Sequence, residues 1–91
     1  MKLDPVIQNH RAQIADLDLK ILEALNQRIL LVKQVKDYKE AQGLGFHDPA
    51  QEDRVIDTLC AANPGPLSED GLRRVFALIL AWAKRDAARA E

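Results

Sequence analysis

Three cations interrupt an otherwise apolar stripe in the first half of the chain. Positions spaced alternately three and four residues apart run from Ile7 to Lys39 and hold mostly Ile, Leu and Val. This pattern indicates the buried face of one long helix. Arg11, Arg28 and Lys39 lie on the same stripe. Because an unpaired cation is costly to bury, their positions need an explanation.

Two interpretations account for these cations. Their long stems can lie along the apolar surface while the charged groups reach water or nearby carboxylates. Alternatively, they belong to a pocket that receives an anion. Arg28 and Lys39 are about 16 Å apart along a helix, so their side chains can converge on one small ligand. Arg11 is a further ~25 Å from Arg28 and can join them only from an antiparallel copy of the helix in a dimer.

The helix that carries these residues is predicted to be unusually long. Asp4 is its expected N-cap, Pro5 takes the first helical position, and the helix runs to about Gln42. Gly43 and Gly45 then provide the stop. Nearly 40 residues of helix span about 58 Å, which is too long for a compact 91-residue monomer. We therefore expect the helix either to expose much of its seam or to share it with a second chain.

Two shorter helices complete an all-α chain. Asp48 is the expected cap of the second helix, and Gln51 completes a capping-box pattern with it. Ser68 is the expected cap of the third. The predicted apolar faces are Val55, Ile56 and Leu59 on the second helix, and Leu72, Val75, Phe76, Ile79, Leu80, Ala83 and Ala87 on the third.

Composition narrows the class of protein. Residues 1–91 are expected to form one domain, and the net charge of −1 gives no indication of nucleic-acid binding. No apolar run approaches the ~20 residues that a membrane span needs. The single cysteine, Cys60, excludes an intrachain disulfide and fits a cytoplasmic location. His10 and His47 lack metal-ligand spacing, so we expect no metal and no other cofactor.

In order and spacing, these residues resemble the all-helical, type II class of chorismate mutases. The resemblance covers nearly the whole chain and rests on Arg11, on ILEALNQR ending in Arg28, on Lys39 in VKDYKEAQG, and on DPAQE, which is similar to the family's D-P-x-R-E. It implies an intertwined homodimer of three-helix chains that rearranges chorismate to prephenate in aromatic amino-acid biosynthesis. The NPGPL segment also resembles mutase domains associated with 3-deoxyheptulosonate-phosphate synthases, which implies such a synthase as a partner.

The resemblance also implies roles for individual residues. Arg28 and Lys39 of one chain, with Arg11 of the other, surround chorismate, which is a dicarboxylate. Lys39 faces the ether oxygen, while Glu52 and the region of Asp48 face the ring hydroxyl. Because the rearrangement is pericyclic, it needs no proton transfer, nucleophile or metal. Catalysis then consists of holding the reactive conformer and placing cations beside the developing negative charge.

Three expected pocket positions depart from the family pattern. Gln51 replaces the arginine of D-P-x-R-E, Ala83 replaces a small polar residue, and Ala87 replaces a Gln or Glu that assists at the ether oxygen. Arg54, one turn beyond Gln51, and Lys84, beside Ala83, are candidates to compensate, although both also fit solvent-facing charges. The alignment of the last helix also admits an offset of one residue.

Four functions are compatible with this sequence. The first is an active chorismate mutase that is slow on its own. The second is a regulatory or structural mutase-like domain that binds chorismate, prephenate or a synthase. The third is a changed substrate, as in isochorismate-pyruvate lyases or aminochorismate mutases. The fourth is a plain coiled-coil dimerisation module. An intact set of Arg11, Arg28, Lys39 and Glu52 favours a pocket that binds a dicarboxylate.

Overall fold

The computed structural model describes residues 4–45 and 48–89, which form three α-helices. Helix α1 is Pro5–Ala41, α2 is Pro49–Ala62 and α3 is Glu69–Arg89. No strand occurs within these two ranges, so the all-α prediction is confirmed. His47, which the sequence analysis judged an unsuitable metal ligand, lies outside the described residues.

Helix α1 begins and ends at the residues that its sequence predicts. The Asp4 carboxylate accepts hydrogen bonds from the backbone N–H groups of Val6 at 2.7 Å and Ile7 at 3.4 Å. These bonds satisfy donors that have no partner within the helix. At the other end, Gly43 has a φ of +72°, a backbone conformation that is accessible to glycine with little strain.

The two shorter helices are also capped as predicted. Asp48 Oδ1 accepts from the backbone N–H of Gln51 at 3.1 Å, and Ser68 Oγ accepts from that of Gly71 at 3.0 Å. The Gln51 side chain does not show the reciprocal bond of a capping box. Its amide oxygen accepts instead from Arg54.

Helix α3 is the centre of the fold because it packs against both other helices. Within residues 4–45 and 48–89, no Cα atom of α1 lies within 8 Å of a Cα atom of α2. The buried side chains in these ranges are four residues of α3, Leu72, Leu80, Ala83 and Ala87. Arg73 fastens α3 to α2 through a 3.1 Å hydrogen bond to Asp57, and that bond raises the pKa of the guanidinium.

The single chain is elongated and exposes an apolar surface. Its radius of gyration is 17.3 Å, compared with about 12 Å for a compact chain of this length. Its accessible surface is 7385 Å², compared with about 5300 Å² for a folded monomer of this mass. Much of the excess lies on α1, where side chains such as Ile7, Ile14 and Ile21 are about half exposed. None of the described helices is both long and apolar enough to cross a membrane.

Candidate active site

A cavity of about 330 Å³ lies between α1 and α2, and α3 completes its wall. The separation of more than 8 Å between the Cα atoms of the described parts of α1 and α2 leaves room for it. Five apolar side chains contribute to the lining: Leu31, Val32, Val35, Val55 and Leu80. Six polar or charged side chains complete it: Arg28, Lys39, Asp48, Gln51, Glu52 and Lys84.

Helix α1 supplies two of the cations in this cavity. Arg28 and Lys39 are both half-buried, and both line it together with Val32 and Val35 from the turns between them. Their positions on the apolar stripe therefore direct both side chains to the same space. The structure thus brings together the two cations whose spacing allows them to share one anionic ligand.

The first turn of α2 supplies the two carboxylates. Asp48 caps the helix and also lines the cavity, and Glu52 lies one turn further along. Helix capping fixes Asp48 at the start of α2 and so places Glu52 in the first turn of the helix. Both carboxylates named by the resemblance therefore lie in the same cavity as Arg28 and Lys39.

Gln51 lines the cavity, whereas Arg54 does not. Arg54 donates to Gln51 Oε1 from Nε at 3.1 Å and from Nη2 at 2.9 Å, and its Nη2 lies 3.9 Å from Asp48 Oδ2. Since a guanidinium can only donate, it binds the amide oxygen and leaves the amide NH₂ group of Gln51 to donate to a ligand. Arg54 thus orients Gln51 without entering the cavity itself.

Lys84 of α3 is a further cation in the cavity. Its Nζ forms an ion pair with Glu52 Oε1, and the two side chains are 31% and 32% exposed. From the sequence, Lys84 is interpreted chiefly as a solvent-facing charge. The spacing of Leu80 and Lys84 could have indicated this position. The two residues are one helical turn apart, so they lie on the same face of α3, and both line the cavity.

The structure does not bring Ala83 and Ala87 into this cavity. Ala83 is 2% exposed and Ala87 is 1% exposed, and both belong to the core. Ala83 lines a separate depression between α1 and α3, together with Arg28 and Trp82. On α3 the face that contains Leu80 and Lys84 continues to Ala88, which is exposed. These positions agree with an alignment of the last helix that is shifted by one residue, so that Lys84 and Ala88 take the places first assigned to Ala83 and Ala87.

Arg11 is also not part of the cavity in the single chain. It is exposed near the start of α1, six positions after Pro5, and lies about 25 Å from Arg28 along the helix axis. An unbroken helix cannot fold back to shorten this separation.

Comparison with known proteins identifies the family. The model of type II chorismate mutases matches residues 10–87. The chain belongs to this family. Among solved structures, this mutase is similar to form II of the chorismate mutase from Thermus thermophilus, with a TM-score of 0.87 and 28% identity. That match covers 93% of this chain and 97% of the other.

A second structure of the Thermus thermophilus chorismate mutase, form I, gives a TM-score of 0.83 with 30% identity. It covers 85% of this chain and 96% of that one. No curated protein sequence matches the chain. The resemblance to type II chorismate mutases is therefore confirmed, and this chain is an isomerase of aromatic amino-acid biosynthesis.

The charges of the cavity suit the substrate of a chorismate mutase. Arg28, Lys39 and Lys84 provide three positive charges, and Asp48 and Glu52 provide two negative ones. The formal sum of +1 favours an anion in a cavity whose apolar walls strengthen electrostatic attraction. Chorismate, as a dicarboxylate, is such an anion.

Proposed function

We propose that the cavity between α1 and α2 is the active site in which this chorismate mutase converts chorismate to prephenate. The observation that carries the proposal is the convergence of Arg28 and Lys39 from α1, Glu52 from α2 and Lys84 from α3 on one space. A volume of about 330 Å³ lies in the range typical of small-molecule sites.

The chemistry requires position and charge from the protein. Within a single chorismate molecule, the ether C–O bond breaks while a C–C bond forms, so no atom or proton is exchanged with the enzyme. The enzyme must hold the side chain of the substrate over its ring and stabilise the electron density that collects on the ether oxygen. Apolar residues such as Val35 and Val55 confine the substrate, and the cations provide the positive electrostatic potential that stabilises the ether oxygen.

Each polar residue has a role in this proposal. Arg28 binds a carboxylate of chorismate, and Lys39 donates to the ether oxygen as the C–O bond lengthens. Glu52 and Asp48 accept from the ring hydroxyl, while Gln51 offers its amide NH₂ to a substrate oxygen. Preorganised donors of this kind commonly account for about two to three powers of ten in rate each.

The proposed enzyme is an intertwined homodimer in which Arg11 acts on the partner's substrate. Exposed apolar side chains on α1, the surface excess and the distance from Arg11 to Arg28 all support this assembly. An antiparallel second copy of α1 covers the exposed seam and delivers its Arg11 near the first chain's Arg28. The same contact between the two chains then explains both the length of α1 and the position of Arg11 so far from Arg28.

The direct test is an assay of chorismate consumption and prephenate formation by the purified chain. We expect turnover by the wild-type protein, none by Arg28→Ala, and wild-type turnover by Lys33→Met. Lys33 is a suitable control because it is ion-paired with Asp37 at 2.9 Å and does not line the cavity. Prephenate binding without turnover would instead support the regulatory alternative.

Two further substrates separate the remaining enzymatic alternatives. Release of pyruvate from isochorismate, without conversion of chorismate, would identify an isochorismate-pyruvate lyase. Rearrangement of aminodeoxychorismate alone would identify an aminochorismate mutase. We expect chorismate to be the preferred substrate because the site retains Arg28, Lys39 and Glu52 together.

We also propose a 3-deoxyheptulosonate-phosphate synthase as a binding partner. The support is the resemblance of the Asn63–Leu67 segment to synthase-associated mutase domains. This loop is ordered by a 2.8 Å bond from Asn63 Nδ2 to the carbonyl of Leu67. Addition of the synthase from the same source is expected to raise mutase turnover. An unchanged rate, together with no complex in sedimentation, would reject the partnership.

A further inference from the structure

We propose that Lys84 is a substrate-binding residue of this active site, and the inference rests on the proposed function of the cavity. It assigns to α3 a charged contribution at a site where the family pattern leads one to expect neutral or acidic side chains. Lys84 then stands beside Arg28 and Lys39 as a third cation contributed by the same chain.

The position of Lys84 differs from that of an ordinary surface lysine. Its side chain is 31% exposed, lines the cavity and reaches Glu52 on another helix. The next residue, Arg85, is exposed and does not line the cavity, and its guanidinium is 4.6 Å from the centre of the Trp82 ring. Adjacent cations on one helix therefore have different surroundings, and Lys84 is the one directed at the site.

Charge balance gives Lys84 a function in binding. Among the residues that line the cavity of one chain, Arg28, Lys39 and Lys84 offset Asp48 and Glu52 and leave a formal charge of +1; Arg54, which lies outside the cavity 3.9 Å from Asp48, is not counted. Arg11 from a second chain raises this sum to +2, which balances the two carboxylates of chorismate. Without Lys84 the sum is +1, and one negative charge of the bound substrate has no counterpart within the site.

Glu52 acts as the positioning partner of Lys84. The ion pair keeps the flexible lysine stem in the cavity, so less side-chain freedom is lost when a ligand binds. An ammonium group has three N–H donors, and Lys84 can therefore retain Glu52 and still donate to a substrate oxygen. Binding and positioning are thus compatible in one arrangement.

The test compares two lysines that are both ion-paired but differ in location. Binding of prephenate to the full chain is measured by calorimetry for the wild type, Lys84→Met and Lys33→Met. We expect Lys84→Met to weaken prephenate binding by about tenfold or more, the size of a lost charge-assisted contact. Lys33→Met should bind like the wild type, because its ion pair with Asp37 lies outside the cavity.

Steady-state kinetics distinguish binding from a structural role. Since Lys84 balances charge in substrate and transition state alike, Lys84→Met should raise KM about tenfold and change kcat by less than about threefold. Lys84→Arg, which restores the charge, should recover most of the lost affinity. If Lys84→Met does not fold by circular dichroism, Lys84→Gln takes its place and is compared with Lys84→Arg.

Three results would overturn the inference. The first is unchanged prephenate affinity in folded Lys84→Met with an active wild type, and this would leave the active-site proposal intact. The second is equal affinity in Lys84→Gln and Lys84→Arg. The third is a wild-type chain that neither converts chorismate nor binds prephenate, which would reject the active-site proposal and this inference together.

Discussion

Arg11 and Arg28 lie on the same unbroken helix and are separated by seventeen residues, or about 25 Å along its axis. Arg28 is half-buried in the wall of the cavity, whereas Arg11 is exposed near the other end of α1. One rigid element thus holds two cations that a single small ligand cannot bridge. A site that uses both must be built from two chains.

The first prediction concerns assembly. Sedimentation equilibrium should give about 20 kDa, twice the 10.2 kDa of one chain, at micromolar concentration. The reason is the exposed apolar surface of α1, which a second copy can cover. The melting temperature should also rise with protein concentration, as expected when folding and association are coupled. A folded 10 kDa species at these concentrations would contradict the prediction.

The second prediction tests whether Arg11 acts across the dimer. Arg11→Ala and Arg28→Ala are expected to be inactive separately. Unfolding and refolding them as an equimolar mixture should form hybrid dimers, each with one site that contains both arginines. Random mixing places half of the chains in hybrids, so the mixture should regain about a quarter of the wild-type activity.

The hybrid experiment has a clear opposite outcome. If Arg11 serves the site of its own chain, each hybrid site lacks one arginine and the mixture stays inactive. Mixing either variant with itself is the control, because it cannot restore an intact pair. Mass spectrometry of the intact dimers verifies that hybrids have formed.

The third prediction concerns the balance between function and stability at Arg28. Arg28→Ala should abolish measurable prephenate binding by calorimetry and leave the dimer intact. Its melting temperature should equal or exceed that of the wild type, because a half-buried cation kept for a ligand opposes folding. Loss of the folded dimer in this variant would show that Arg28 is a structural residue.

The fourth prediction uses the helical phase of α3. Ala88→Gln places an amide donor on the face of Leu80 and Lys84, so it should raise kcat about tenfold or more with little change in affinity. Ala87→Gln should instead destabilise the protein by about 1–3 kcal/mol, because residue 87 is buried. Chemical denaturation and initial rates on the two variants provide the measurements.

This comparison discriminates between two placements of the last helix. A rate increase in Ala87→Gln without loss of stability would restore the alignment first expected from the sequence. A rate increase confined to Ala88→Gln would support the offset of one residue. If neither variant gains rate, the end of α3 does not contribute a donor to the reaction.

Local features of the chain were predictable because they depend on neighbouring residues. Asp4, Asp48 and Ser68 cap their helices as expected, since a side chain that accepts from a backbone N–H two or three residues ahead needs no distant partner. The stripe through Arg28 and Lys39 was also readable, because helical periodicity alone places both on one face. Their meeting in one cavity is the tertiary counterpart of this pattern.

The residues of α3 that face the cavity could not be identified from the sequence. Periodicity placed Ala83 on the apolar face of α3, where it is buried, but it did not show that the adjacent Lys84 faces a cavity. Which residue faces the cavity depends on the rotation of α3 between α1 and α2, which is set by the packing of Leu72, Leu80, Ala83 and Ala87. Because adjacent residues of a helix are about 100° apart around its axis, a rotation of that size exchanges a core position for a site position.

The sequence by itself determined three helices, their caps, the family and the cations on the long seam, because each depends on residue types at short spacing. The tertiary structure decided that α1 and α2 stay apart over α3 and that the space between them holds a cavity. It also decided that Lys84 pairs with Glu52 while Ala83 and Ala87 are buried. These relations join residues that are distant in sequence, and their geometry follows from how three rigid helices pack rather than from any local pattern.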